Sequence, residues 1–251
     1  MDVAFQNGRL RPPKQRLLRN GNMLGYNEIE GGNQVRVSNT CSFDSLCQAS
    51  TEGYVQYPSY RAVIDASSNP FFKLCKSLAV NGAVAETYKR RASTLSTLLP
   101  VTGSGLPGIG PRRRRLVQLV YDCYEVLSDM AARVLDSIPS AKIKWRCEKG
   151  CVKEEIYQVL PVDVETIDSD GPGNIQAAVR RAVMMEPIKD GTSNPRAVHQ
   201  SVIARQSPDH FVAVTRSSTG LWEVFNNLKR YPASADEDAK VCPVCLVYIK
   251  M

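Results

Sequence analysis

Long apolar runs are missing from this 251-residue chain. The stretch at 244–249 is typical, and it falls far short of the about 20 apolar residues a membrane-crossing helix needs, so no membrane partner is expected. The opening residues, Met1 to Arg16, are polar and basic and lack an apolar secretory segment, which points to an intracellular protein, cytoplasmic or nuclear. Histidine is scarce: His199 and His210 are the only two, so imidazole chemistry has two positions to choose from. No internal repeat is present, which argues against solenoids and propellers. Compositional extremes are lacking as well. With 43% hydrophobic and 23% charged residues, whole-chain disorder is excluded and a core for one large domain or two small ones is available.

What the chain does have is a basic excess, 32 Lys and Arg against 25 Asp and Glu, for a net charge of +7. That balance favours anionic partners such as nucleic acid or an acidic protein face. Lys89-Arg90-Arg91 and Arg112 to Arg115 are the candidate basic patches. The nearest aromatics, Tyr121 and Tyr124, do not interleave with them as single-strand stacking would require, so a solvated loop and helix face is the simpler reading. There are also eight cysteines. In an intracellular chain they are expected to stay reduced. Cys147-x3-Cys151 and Cys242-x2-Cys245 have zinc-compatible spacing, but Cys245 belongs to a strand-like run, so buried thiols are favoured and no metal or cofactor is assigned.

Read along the chain, residues 1–33 form a basic, mostly irregular lead-in. Residues 34–251 form the main domain. Thr40 or Ser42 can cap a helix carrying Phe43, Leu46 and Cys47 on one side, and helices are expected near 60–66, 70–80 and 83–98. The Gly- and Pro-dense stretch 101–111 breaks the pattern. A long helix is expected over about 115–137, because Leu116, Leu119, Val120, Cys123, Val126, Leu127, Met130 and Val134 recur at steps of three and four, with Pro139 closing it. From about 141 the period becomes that of strands. A hairpin is expected through 143–145 and 152–164, then a turn at 169–173, a short helix with Ile175, Ala178, Val179 and Val183, and strands at 211–215, 221–225 and 245–249. Helices at about 40–138 followed by mostly antiparallel strands at about 141–250 read as α+β.

Three separated residues carry the chemistry. Cys41 stands at or just before a helix start, where the partial positive charge of the helix end favours a thiolate. His210 stands at the mouth of a strand and can take the thiol proton. The polar pair Asn226-Asn227 offers an amide oxygen that can accept the second ring N–H and fix the tautomer. The strands 211–215 and 221–225, joined by the turn-forming Ser217-Ser218-Thr219-Gly220, fold back on each other and bring His210 beside Asn226.

The stretch Asn39-Thr40-Cys41-Ser42-Phe43-Asp44-Ser45-Leu46-Cys47-Gln48 resembles the cysteine box of the ubiquitin-specific proteases, roughly NTCYMNSxLQ. Asp209-His210-Phe211-Val212-Ala213-Val214-Thr215-Arg216, followed by Leu221-Trp222-Glu223-Val224-Phe225-Asn226, is similar to that family's histidine box. Val244 to Lys250 resembles its closing strand, and Cys147–Cys151 with Tyr157 to Val162 resembles more loosely the exit from its fingers. The resemblance implies a papain-like cysteine peptidase fold and a thiol-dependent deubiquitinase. Cys41 is then the nucleophile, His210 the base and acid, and Asn226 the orienting residue, with ubiquitin or a ubiquitin-like protein as partner. Arg36 stands where the family places an asparagine oxyanion donor, and Asp209 where it commonly has glycine. Asn39 and Asn227 are the secondary candidates around the oxyanion site. Two other classes stay open: a catalytically inactive module of the same shape that binds ubiquitin, and a basic nucleic-acid-associated protein derived from a mobile element.

Overall fold

The computed structural model describes residues 5–6, 9–10, 16–28, 33–105, 117–136, 141–146, 150–157, 173–174, 197–207, 209–217, 220–236 and 239–250. Within them the chain is α+β, and no helix is long and apolar enough to cross a membrane. The first elements are two short strands, β1 (Phe5–Gln6) and β2 (Arg9–Leu10), which pair with each other. A single 3-10 turn at Gly21–Met23 leads to β3 (Asn27–Glu28) and then to β4 (Gln34–Ser38). Residues 16–28 are mostly without regular structure, yet they seat on the domain. Leu17, Leu18 and Asn20 are buried, and β3 pairs antiparallel with β4.

Four helices follow: α1 (Cys41–Gln56), α2 (Pro58–Ala66), α3 (Pro70–Asn81) and α4 (Ala85–Leu98). Their boundaries follow from local chemistry. Pro58 and Pro70 occupy opening positions where a missing N–H costs nothing, and the Asn69 side chain accepts the Phe71 N–H at 2.8 Å. Gly82 ends α3 at φ 78°. Helix α1 is the centre of the molecule: every residue from Cys41 to Val55 is buried, and it packs on α2, α3, the helix α5 described below, and two strands of the main sheet.

The long helix expected over 115–137 is not there. Residues 118–122 form β6 (Gln118–Asp122), and only Leu127–Val134 is helical, as α5. Of the residues expected on one helical face, Cys123, Leu127, Met130 and Val134 are buried and Leu119 packs against them, but Val126 is exposed and the period is wrong for the first half. Leu119, Tyr121 and Cys123 turn inward at alternate positions, because β6 pairs in parallel with β4 from Gln34↔Gln118 to Ser38↔Asp122. Tertiary pairing has overridden a run whose spacing fits either element. The Gly-rich break also contributes a strand, β5 (Gly103–Gly105), against β6. Residues 106–116 and 137–140, with Arg112 to Arg115 and Pro139, lie outside the described residues.

The back half holds the hairpin of β7 (Ala141–Arg146) and β8 (Val152–Tyr157), then β9 (Gly173–Asn174), β10 (Ala197–Ser207), β11 (His210–Arg216), β12 (Trp222–Phe225), β13 (Ala233–Ala235) and β14 (Lys240–Lys250). Six of these strands form one antiparallel sheet in the order β13-β12-β11-β10-β14-β9. The strands expected at 211–215, 221–225 and 245–249 are present; the short helix expected near 175–183 lies outside the described residues. Along the inner strands the side chains alternate. Ile203 and Phe211 join the helical core, whereas Val202, Ala204, Val212, Val214 and Trp222 pack together as a second cluster.

Candidate active site

Strand β4 delivers the chain to α1 through two unusual residues. Asn39 sits at φ 53°, a left-handed conformation that asparagine tolerates. Thr40 takes the position before the helix but does not cap it. Its hydroxyl instead donates to Asp44 Oδ2 at 2.6 Å and accepts the Gly21 N–H at 2.9 Å. Cys41 is therefore the first residue of α1, as the sequence pattern requires, and it is 6% exposed. Its Sγ lies 3.6 Å from the carbonyl oxygen of Asp209, beside the residue that opens β11.

The protonation state of Cys41 differs from the expectation. Burial pushes the thiol up, and the Asp44 carboxylate adds to that, while the N–H groups of Phe211, Ser42 and Cys41 itself pull the other way. Loss of water outweighs the pull of the helix end and favours the thiol over the thiolate. A base is needed to activate it.

His210 is positioned by the hairpin of β11 and β12, whose register pairs Ala213 with Phe225 and so places His210 beside the turn that follows Phe225. Its Nε2 lies 3.0 Å from Asn226 Oδ1. The Asn226 amide can stand only one way round. Its Oδ1 accepts the Leu228 backbone N–H at 2.9 Å, and its Nδ2 donates to Gln206 Oε1 at 2.7 Å. An oxygen facing Nε2 requires that nitrogen to carry the proton. The neutral ring then keeps its free lone pair on Nδ1. Gln206 reaches Asn226 from a break in register between Arg205 and Ser207, a bulge beside the site. His210 and Asn226 are both buried. His199 lies on β10 by its backbone; its side chain is outside the described residues.

The two secondary candidates are engaged elsewhere. The Asn39 amide donates to Asp122 Oδ1 at 2.9 Å and accepts from Asn22 Nδ2 at 2.8 Å. Asn227 donates to Asp44 Oδ2 at 2.9 Å, and its carbonyl accepts the Asn20 N–H at 2.8 Å. Arg36 points into solvent from β4. The N–H of Cys41 is one of the first helical N–H groups, which have no partner within the helix. Asp209 is exposed, and its Oδ1 accepts the Tyr124 hydroxyl at 2.7 Å.

Several participants carried no sequence signal. Asp44 is 3% exposed and ion-paired at 2.9 Å with Arg91, which is fully buried on α4 and stacks 5.1 Å over Tyr88. Arg91 therefore belongs to the core and not to a basic patch; of its neighbours, Arg90 pairs with Glu86 at 3.2 Å. Only the placement of an acidic residue in the first turn of α1 hinted at Asp44. Among the described residues, no group of three or more His, Cys, Asp or Glu side chains could hold a metal ion. Cys41, Cys47, Cys75 and Cys123 are free and buried. Cys151 is exposed and disulfide-bonded, so the expected reduced state fails there. Cys147 and the side chains of Cys242 and Cys245 lie outside the described residues.

Comparison with protein-family models, with curated proteins and with solved structures finds no match to this chain.

Proposed function

We propose that this protein is a papain-like cysteine hydrolase that cleaves the isopeptide bond following the C-terminus of ubiquitin or a ubiquitin-like protein. The observation that carries the chemistry is the His210 Nε2–H···Asn226 Oδ1 bond of 3.0 Å, held in one orientation, with the Cys41 sulfur 3.6 Å from the carbonyl oxygen of Asp209, the residue directly before His210. The central helix that opens on this cysteine and packs on an antiparallel sheet supports the papain-like assignment. The choice of ubiquitin rests on the resemblance of the cysteine and histidine boxes.

The steps follow from the groups present. His210 Nδ1 takes the Cys41 proton, and the sulfur attacks the carbonyl carbon at the end of the modifier. The Cys41 N–H stabilises the oxyanion. The intermediate collapses by expelling the lysine amine, which takes its proton from His210, and leaves a thioester. Water, deprotonated by His210, then attacks the thioester and releases a carboxylate and the free thiol. Asn226 keeps the ring in the tautomer these steps require.

Hydrolysis of ubiquitin carrying a C-terminal fluorogenic amide tests this reading. The wild type is expected to turn over, Cys41→Ala and His210→Ala to be inactive. Turnover retained in Cys41→Ala overturns the assignment. One observation favours a second reading, a binding module without turnover: Cys41 is nearly enclosed, and burial holds its thiol protonated. That reading predicts ubiquitin binding with no release of fluorophore by the wild type.

A further inference from the structure

We propose that Asp44 is the positioning residue of this site, setting the distance between Cys41 and the His210–Asn226 pair through Thr40 on one side and Asn227 on the other. The inference rests on the Cys–His–Asn reading above. Thr40 directly precedes the nucleophile and Asn227 directly follows the orienting amide. One oxygen of Asp44 receives both of their side chains, from Thr40 at 2.6 Å and Asn227 at 2.9 Å. Two bonds to one atom thus join α1 to the end of β12, segments separated by 183 positions.

A neutral amide at 44 could take both arms on its one oxygen, but it would turn an NH2 donor toward Arg91 and leave that buried cation without its counter-charge. Arg91 Nη1 donates to the second oxygen at 2.9 Å and also reaches the first at 3.0 Å, and its charge offsets the burial of the carboxylate. The Arg91 Nη1 also donates to the Arg19 carbonyl at 2.8 Å. The residues that follow Arg19 grip the same two neighbours: the Asn20 N–H donates to the Asn227 carbonyl at 2.8 Å and the Gly21 N–H to the Thr40 hydroxyl at 2.9 Å. The site is thereby tied into one rigid unit, and misplacement by about 1 Å between nucleophile and base is enough to cost a large factor in rate.

The test uses Asn227→Ala and Thr40→Val, which cut the two arms and leave the Asp44–Arg91 ion pair in place. Alkylation of the full chain by iodoacetamide is followed from about pH 5 to about pH 9 by mass spectrometry of the Cys41 peptide, with His210→Ala as reference. The wild type is expected to react faster than His210→Ala near neutral pH, because His210 takes the thiol proton. Either arm variant should lose about tenfold or more at about pH 6.5 and move its pH profile toward that of His210→Ala. Cys47, Cys75 and Cys123 are the internal control: all are buried, and a loosened fold would expose them to reagent, whereas misplacement alone changes Cys41 only. If wild type and His210→Ala share one profile, the triad reading fails and the inference falls with it. If they differ but both arm variants keep the wild-type profile, or if every cysteine becomes reactive together, the triad stands and the positioning role of Asp44 is overturned.

Discussion

At Glu52 burial acts on a carboxylate that nevertheless has a cation 2.9 Å away. Its side chain is 1% exposed on α1, and Arg16 spans from it to Glu223, 2.7 Å on the other side. Desolvation pushes the Glu52 carboxyl up to about 7 from an ordinary 4.5, with Arg16 opposing and Glu223 assisting the rise. A raised folded value means that the folded chain holds this proton more tightly than the unfolded chain. The stabilisation is complete below about 4.5 and is lost as pH rises through about 7. Glu52→Gln should flatten the pH dependence of the urea midpoint across that window. It should leave the variant more stable than wild type at about pH 8, by up to about 3 kcal/mol. An unchanged slope would contradict this. In the site itself, Asn226→Ala frees the imidazole to adopt the other tautomer and should lower turnover by about 10²-fold with little change in KM. The candidates Cys41, His210 and Asn226 stand out in the sequence because they sit in two short motifs, one around Cys41 and one running from Asp209 to Asn226. Asp44 with Arg91, 47 positions apart, and Arg16 with Glu223, 207 apart, were not, because neither pairing leaves a local trace.

Among the elements, the segment at 16–28 matters most. Composition marks it as a basic lead-in, yet Leu17 and Leu18 are core residues and the turn at Gly21 presses on β4. A Cβ at Gly21 would lie 2.3 Å from the Val37 carbonyl oxygen, a backbone atom with nowhere to go. Gly21→Ala should therefore cost about 1–3 kcal/mol in urea unfolding, an overpacking penalty; a neutral result would mean that the segment does not seat against β4. The same lesson holds for β6 and α5. Cys123, Leu127, Met130 and Val134 were legible as core and Val126, which is exposed, was misassigned to it; two strand pairings with β4 and β5 decided the backbone of β6, and such non-local pairing is invisible to periodicity. Helices α2 and α3 were legible because proline starts and, for α3, a glycine stop punctuate them locally.

For the molecule as a whole, α1 serves two ends. Its first residue is the candidate nucleophile, and Phe43, fully buried and edge-on to Phe71 at 5.7 Å, lies at the centre of the core. Stability and site geometry are thus carried by one helix. Phe43→Ala should cost about 3–5 kcal/mol in calorimetric or urea unfolding and lower turnover with it. The α+β class was legible from helices preceding strands, whereas strands β4, β9, β10 and β13 emerge only from the sheets they complete. The central claim is that Cys41, activated by His210, acts on the end of a ubiquitin-like chain. The most direct measurement is reaction with ubiquitin bearing a C-terminal thiol-reactive group, with the adduct mapped by peptide mass spectrometry. A single ubiquitin on Cys41, lost in Cys41→Ala, is the predicted result; no adduct, or one on another cysteine, would contradict it.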